Sequence, residues 1–133
     1  MFWQTGGKDM TRVGVIGVGG MGFTHVKALK SLAEEMDLQV VAIADLQEKY
    51  QKRAKEEWPE ATIYAEGAEL LEKEQLDAVH ICVPSYKHAE LAIQAMNKGI
   101  DVLVEKPACL NEEDCERMLA AKEANHVSVM VGQ

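Results

Sequence analysis

The chain has 133 residues, 47% of them hydrophobic and 27% charged, the balance of one soluble globular domain able to bury about two-thirds of its unfolded surface. A formal net charge of −8 argues against nucleic acid or an anionic membrane surface as a partner, and no apolar run approaches the length of a membrane span. Any phosphate ligand must therefore be held by local backbone dipoles rather than by the overall field.

Met1 to Asp9 carries only Phe2 and Trp3 as large apolar residues beyond the initiator, so residues 1–10 read as a mobile extension and not as a secretory signal. Val13-Gly14-Val15-Ile16 is a short apolar, β-branched stretch and reads as a buried strand. Gly17-Val18-Gly19-Gly20-Met21-Gly22 follows it, and then Val26, Leu29 and Ala33 recur at helical spacing. GxGxxG alone is weak evidence, but strand, then GxGxxG, then helix is the context that the dinucleotide fingerprint requires. Gly17 permits the turn, Gly19 lets the backbone approach a pyrophosphate, and Gly22 lets the helix pack closely. The helix N-terminus then presents free N–H groups to the phosphates.

Leu38 to Ala44 reads as a second strand ending in Asp45, 23 residues after Gly22. A carboxylate there accepts hydrogen bonds from adenine ribose hydroxyls and repels a 2′-phosphate, so NAD is expected over NADP. Neither Leu46 nor Gln47 offers a cation to reverse that preference, although Lys49 and Lys52 lie downstream. Leu46 to Trp58 reads as an amphipathic helix closed by Pro59, Thr62 to Tyr64 as a short strand, and Ala68 to Lys73 as a small helix.

Asp77 to Val83 is the fourth strand signal; Ser85 is placed to cap a helix from Tyr86 to Lys98, with Gly99 just past its end. Asp101 to Val104 is a fifth strand, and Asn111 caps a helix opening on Glu112, Glu113 and Asp114. Val127 to Val131 is a sixth strand. The best-defined strands are nearly continuous in apolar residues, as in a parallel sheet covered on both faces. The fold predicted over residues 11–133 is therefore an α/β doubly wound parallel sheet of six strands, order 3-2-1-4-5-6. Cys82, Cys109 and Cys115 are odd in number and form no CxxC, so reduced thiols of a cytoplasmic protein are expected, with no metal site.

In such a sheet ligands bind beyond the carboxyl ends of the strands, where Val83-Pro84-Ser85 and Glu105-Lys106-Pro107 both fall. A lysine there can serve proton transfer beside a hydride centre, with Glu105 fixing its position. A solvated surface ion pair is the competing reading of these two residues.

With this cluster the chain resembles the N-terminal half of the Gfo/Idh/MocA oxidoreductases, which include glucose–fructose oxidoreductase, inositol dehydrogenase and many sugar or polyol dehydrogenases. The resemblance rests on GVIGVGGMG, VAIAD and CVPSYKHAELAIQAMNKGIDVLVEKP, and covers about Thr11 to Gln133. Glucose-6-phosphate dehydrogenase and biliverdin reductase relatives share an EKP-like lysine and fit less well. The resemblance implies that Gly17 to Gly22 hold the pyrophosphate and Asp45 the adenine ribose. Val83, Pro84 and Ser85 line the nicotinamide side, with His88 nearby, while Glu105 and Lys106 reach the nicotinamide ribose and the reacting oxygen. For His88 capping or packing stands beside a cofactor role, and for His25 a structural helix position is expected. The family's second, substrate-binding domain is not represented in these residues, so Lys106 is the one catalytic residue expected, and self-association through an uncovered sixth strand is expected too. The competing reading is a stand-alone nucleotide-binding or regulatory module that works with a separate partner.

Overall fold

Parallel strands cannot be joined by tight turns, and among the described residues a helix separates every pair of successive strands. The computed structural model describes residues 10–132; all but Met10 of the extension expected at residues 1–10 lies outside them. Along the chain run β1 (Thr11–Ile16), α1 (Met21–Met36), β2 (Leu38–Ala44), α2 (Glu48–Glu57), β3 (Thr62–Tyr64), α3 (Gly67–Lys73) and β4 (Ala78–Ile81). A 3-10 turn at Ser85–Lys87 leads into α4 (His88–Asn97), followed by β5 (Asp101–Val104), α5 (Glu112–Asn125) and β6 (Val129–Val131). The sheet order is β3-β2-β1-β4-β5-β6 with every pairing parallel, the arrangement expected from the sequence.

Period-two alternation divides the core. Val13 and Val15 of β1 face α1 and α2, meeting Val26, Leu29, Val40, Ile43 and Trp58. Ile16 faces the opposite layer, with Leu70, Leu71, Ala92, Met96 and Met118 of α3, α4 and α5. Gly14 shares that side because a Cβ there would sit 2.8 Å from a Leu76 methyl. Register slips between Val13 and Gly14, so β2 gains one residue against β1 and both Val41 and Ala42 join the second layer. Trp58 buries its ring and donates its indole N–H to the Val26 carbonyl at 3.2 Å.

Two sequence expectations need correction. Ser85 caps no helix: the Lys87 N–H donates to the Pro84 carbonyl at 3.0 Å, a 3-10 turn forms, and no side-chain cap accompanies it or α4. Cys109 and Cys115 are not free thiols but are joined as a disulfide, since α5 brings its first turn back against the loop after β5 with the two Cα atoms 5.7 Å apart. Asn111 does cap α5, accepting the Asp114 N–H at 2.8 Å, and Gly99 takes the left-handed conformation, φ +79°. No helix among the described residues is long and apolar enough to cross a membrane.

α1 reaches the sheet only because Gly22 in its first turn lacks a side chain: a Cβ there would lie 1.6 Å from the Gly17 carbonyl oxygen, far inside van der Waals contact. Gly22→Ala is therefore expected to cost about 3 kcal/mol or more of stability, the upper end of overpacking effects. Asn111→Ala is expected to cost about 1 kcal/mol, as for a lost cap. Urea unfolding midpoints measure both; a Gly22→Ala loss no larger than that of Asn111→Ala would contradict this packing.

Candidate functional site

The site begins where strand order reverses, between β1 and β4. Gly17, at φ +88°, turns the chain out of β1; its N–H donates to the Ala44 carbonyl at 2.7 Å, and a Cβ there would meet the Cys82 carbonyl at 2.8 Å. The Cys82 N–H donates to the Ile16 carbonyl at 2.8 Å, so the loop is fixed from both neighbouring strands. α1 follows with no side-chain cap and no acidic residue in its first turn, whereas α5 has Asn111 and three acids there. The positive end of α1 is thus left for an external anion.

Asp45, at the end of β2, ties this loop to the next turn. Its Oδ2 accepts the Val18 N–H at 2.9 Å and its Oδ1 accepts the Gln47 N–H at 2.8 Å. Each oxygen keeps a further lone pair for a hydroxyl. Two residues that the sequence did not single out complete the support. Gln51 donates from Nε2 to the Asp45 carbonyl at 2.7 Å. Arg53 lies 3.9 Å over the Phe23 ring and donates to the carbonyls of Val18, at 3.1 Å, and Gly19. Both project from α2, one helix away from the motif they hold, which is why inspection of the motif alone passes over them.

An open cavity of about 810 Å³ runs across these strand ends. Gly17, Gly19, Gly20, Met21 and Asp45 line one end of it, with Val83, Pro84, Glu105 and Lys106 also on its walls. Val18, Gly22, Ser85 and His88 do not line it. Val18 and Gly22 are buried beneath the loop. His88 is also buried, with its two ring nitrogens each 2.8 Å from a carbonyl oxygen, one of Val83 and one of Pro107. It joins the two loops that form the far end of the cavity. The Lys106–Pro107 peptide is cis.

His25, expected as a structural helix position, is bonded at both ring nitrogens. Its Nε2 lies 2.6 Å from Glu105 Oε2 and its Nδ1 2.8 Å from Nδ1 of His80, a residue the sequence reading did not consider. The available signal was spacing: His80 and Cys82 alternate onto one face of β4, and His25 stands one turn beyond the last motif glycine. Burial and then the neighbouring His25 push the His80 pKa down to about 4, against the opposing pull of Glu105. Burial and then Glu105 push the Cys82 thiol up to about 12. Ligand atoms of His25, Cys82 and Glu105 lie within 4.8 Å of one another. Two of them form a 2.6 Å hydrogen-bonded pair, closer than the about 3.3 Å between nitrogen and oxygen ligands of a tetrahedral ion.

The His80 shift predicts a pH dependence. The ring is neutral when folded but takes a proton below about pH 6.5 when unfolded, so its contribution is intact above that pH and is lost as pH falls towards about 4. Discounted for partial exposure, the loss is on the order of 2 kcal/mol. Urea unfolding at pH 7.5 and pH 5 should show His80→Asn losing less stability on acidification than the unaltered chain; equal losses would contradict the assignment.

Comparison with known proteins places this geometry. A family profile described as "Oxidoreductase family, NAD-binding Rossmann fold" (GFO_IDH_MocA) matches residues 11–133. The myo-inositol 2-dehydrogenase of Thermotoga maritima is 32% identical over 121 residues, covering 91% of this chain and 35% of that protein. A glycosyl hydrolase family 109 protein of Shewanella sp. (strain W3-18-1) is 33% identical over 132 residues, covering 92% and 28%. The crystal structure of the WlbA dehydrogenase from Bordetella pertussis in complex with NADH and UDP-GlcNAcA superposes with a TM-score of 0.83 at 25% identity, covering 92% of this chain and 37% of that one. The chain spans about a third of the length of the relatives it matches. It belongs to the Gfo/Idh/MocA oxidoreductase family and carries that family's NAD-binding Rossmann fold.

Proposed function

We propose that this chain binds NAD in preference to NADP and supplies the cofactor half of a hydride transfer to or from a sugar, polyol or related hydroxy compound. The observation that carries the reading is the α1 N-terminus, which has neither cap nor acid and opens on a glycine turn at the cavity wall. An anionic pyrophosphate is the chemistry such an end accepts. Asp45 supports the choice of cofactor: its carboxylate, fixed by two backbone N–H groups, suits two ribose hydroxyls and opposes a 2′-phosphate. When bound, the nicotinamide supplies the hydride acceptor or donor.

Lys106 is the catalytic residue of this proposal. It lines the cavity beside Glu105, where its side-chain nitrogen would take the proton of a substrate hydroxyl as the substrate carbon gives up hydride, and return it in the reverse direction. Val83 and Pro84 would form the nicotinamide side, with Ser85 next to them but off the cavity wall, and with His88 holding that side in place through the Val83 and Pro107 carbonyls. The remaining substrate contacts are assigned to residues outside this stretch, consistent with its share of the relatives' length. Met130 and Val131, 66% and 41% exposed on the edge strand β6, support a further domain or a second copy packing there.

Fluorescence titration with NADH and NADPH is the test. NADH is expected to bind about tenfold more tightly, the effect of roughly 1.4 kcal/mol of charge repulsion. Asp45→Ala should weaken both, because the Val18 N–H loses its acceptor, but NADH more. Equal losses would remove Asp45 from ribose recognition, and failure of both nucleotides to bind would defeat the proposal.

A further inference from the structure

Glu105 is held in a way that a solvated carboxylate at a strand end does not require. It stands at the carboxyl end of β5, on the cavity wall, yet its side chain is only 15% exposed. Three elements enclose it. His25 of α1 bonds Oε2 at 2.6 Å; Cys82, just past β4, brings its sulfur within 4.8 Å; and Gly132, just past β6, leaves the space that the carboxylate fills. A Cβ on Gly132 would lie 2.8 Å from Oε2 and 3.2 Å from Oε1.

The His25 ring is itself fixed at both nitrogens. His80 stands edge-on to it, with ring centroids 5.0 Å apart and planes at 86°. A ring bonded on both sides cannot turn without losing one partner, so the direction of its Nε2 is set by β4 and delivered to β5. Among the described residues Glu105 Oε1 makes no hydrogen bond, while Oε2 is occupied. One oxygen is thus anchored and the other is left to accept.

We propose that His80 and His25 are positioning residues that hold Glu105 as a preset hydrogen-bond acceptor for a hydroxyl of the nicotinamide ribose. This rests on the dinucleotide reading given above and adds to it a relay starting on the far side of β4. The energetic logic is preorganisation: the carboxylate loses its rotamer freedom on folding rather than on binding, so less affinity is lost when the ligand arrives. Simple core packing of the two histidines would need neither the aim of His25 at a carboxylate nor the missing side chain at Gly132.

The test compares NADH with ADP on the full 133-residue chain. ADP carries the adenosine and diphosphate but no nicotinamide ribose, so it reports the glycine-loop half alone. His25→Leu is expected to raise the NADH Kd about tenfold, the loss of one hydrogen bond to a charged group, and to leave the ADP Kd unchanged. His25→Gln, whose amide can still donate to Glu105, should recover most of that loss. His80→Asn, whose amide can still hydrogen-bond near the Nδ1 position, should bind NADH more tightly than His80→Leu. Gly132→Ala tests the same point without touching either histidine, since its Cβ must displace the carboxylate; it should reproduce the selective NADH loss. NADH binding unaffected by His25→Leu and Gly132→Ala, or weakened equally with ADP, would overturn the relay. Failure of the unaltered chain to bind either nucleotide would instead overturn the dinucleotide reading on which the relay rests.

Discussion

The approach of α1 to the turn after β1 is the constraint on which the rest of the site depends. The backbone at Gly22 comes so near the Gly17 carbonyl that no Cβ fits between them, and Gly17 itself occupies a left-handed conformation that places it against the Cys82 carbonyl. These two glycines bring the positive end of a 16-residue helix to the switch point of the sheet. Once α1 is seated, the Val18 N–H faces Asp45, and His25, one turn on, faces Glu105 and His80. The proposed phosphate and ribose sites and the far wall of the cavity therefore all follow from one close contact.

The same contact reconciles an acidic chain with an anionic ligand. With a formal charge of −8 the long-range field disfavours a pyrophosphate. At the proposed site attraction would be local, supplied by helix-terminal N–H groups that α1 leaves without a side-chain cap. α5 carries its own acids and an asparagine cap, while α1 carries neither. Arg53 adds a guanidinium on the loop's outer side, where it bonds carbonyls and stacks on Phe23 rather than entering the cavity.

Sheet order, the glycine turn and the Asn111 cap were legible in the sequence because each is a local pattern: apolar runs, glycines at fixed spacing, a capping residue before acids. What escaped was non-local. Nothing adjacent to Cys109 announces Cys115 as its partner, since only the return of α5 across the loop brings them together. Ser85 has the chemistry of a cap, but the turn from Pro84 closes as 3-10 and α4 starts three residues later. His80 reads as an interruption in an apolar strand until α1 packs over it. Arg53 and Gln51 look like the polar face of an amphipathic helix, and their partners are backbone carbonyls 34 to 35 residues and 6 residues away.

In the proposed function a dinucleotide lies across the carboxyl ends of β1, β2, β4 and β5, with its pyrophosphate at the start of α1. Amide chemical-shift mapping of the ¹⁵N-labelled chain titrated with NAD addresses this directly. Saturable shifts are expected to concentrate at Gly17 to Gly22, Asp45 to Gln47, Val83 to Ser85 and Glu105 to Lys106, with α5 and the outer face of α2 silent. Saturable shifts that leave Gly19 to Gly22 unmoved would place the ligand elsewhere and contradict it.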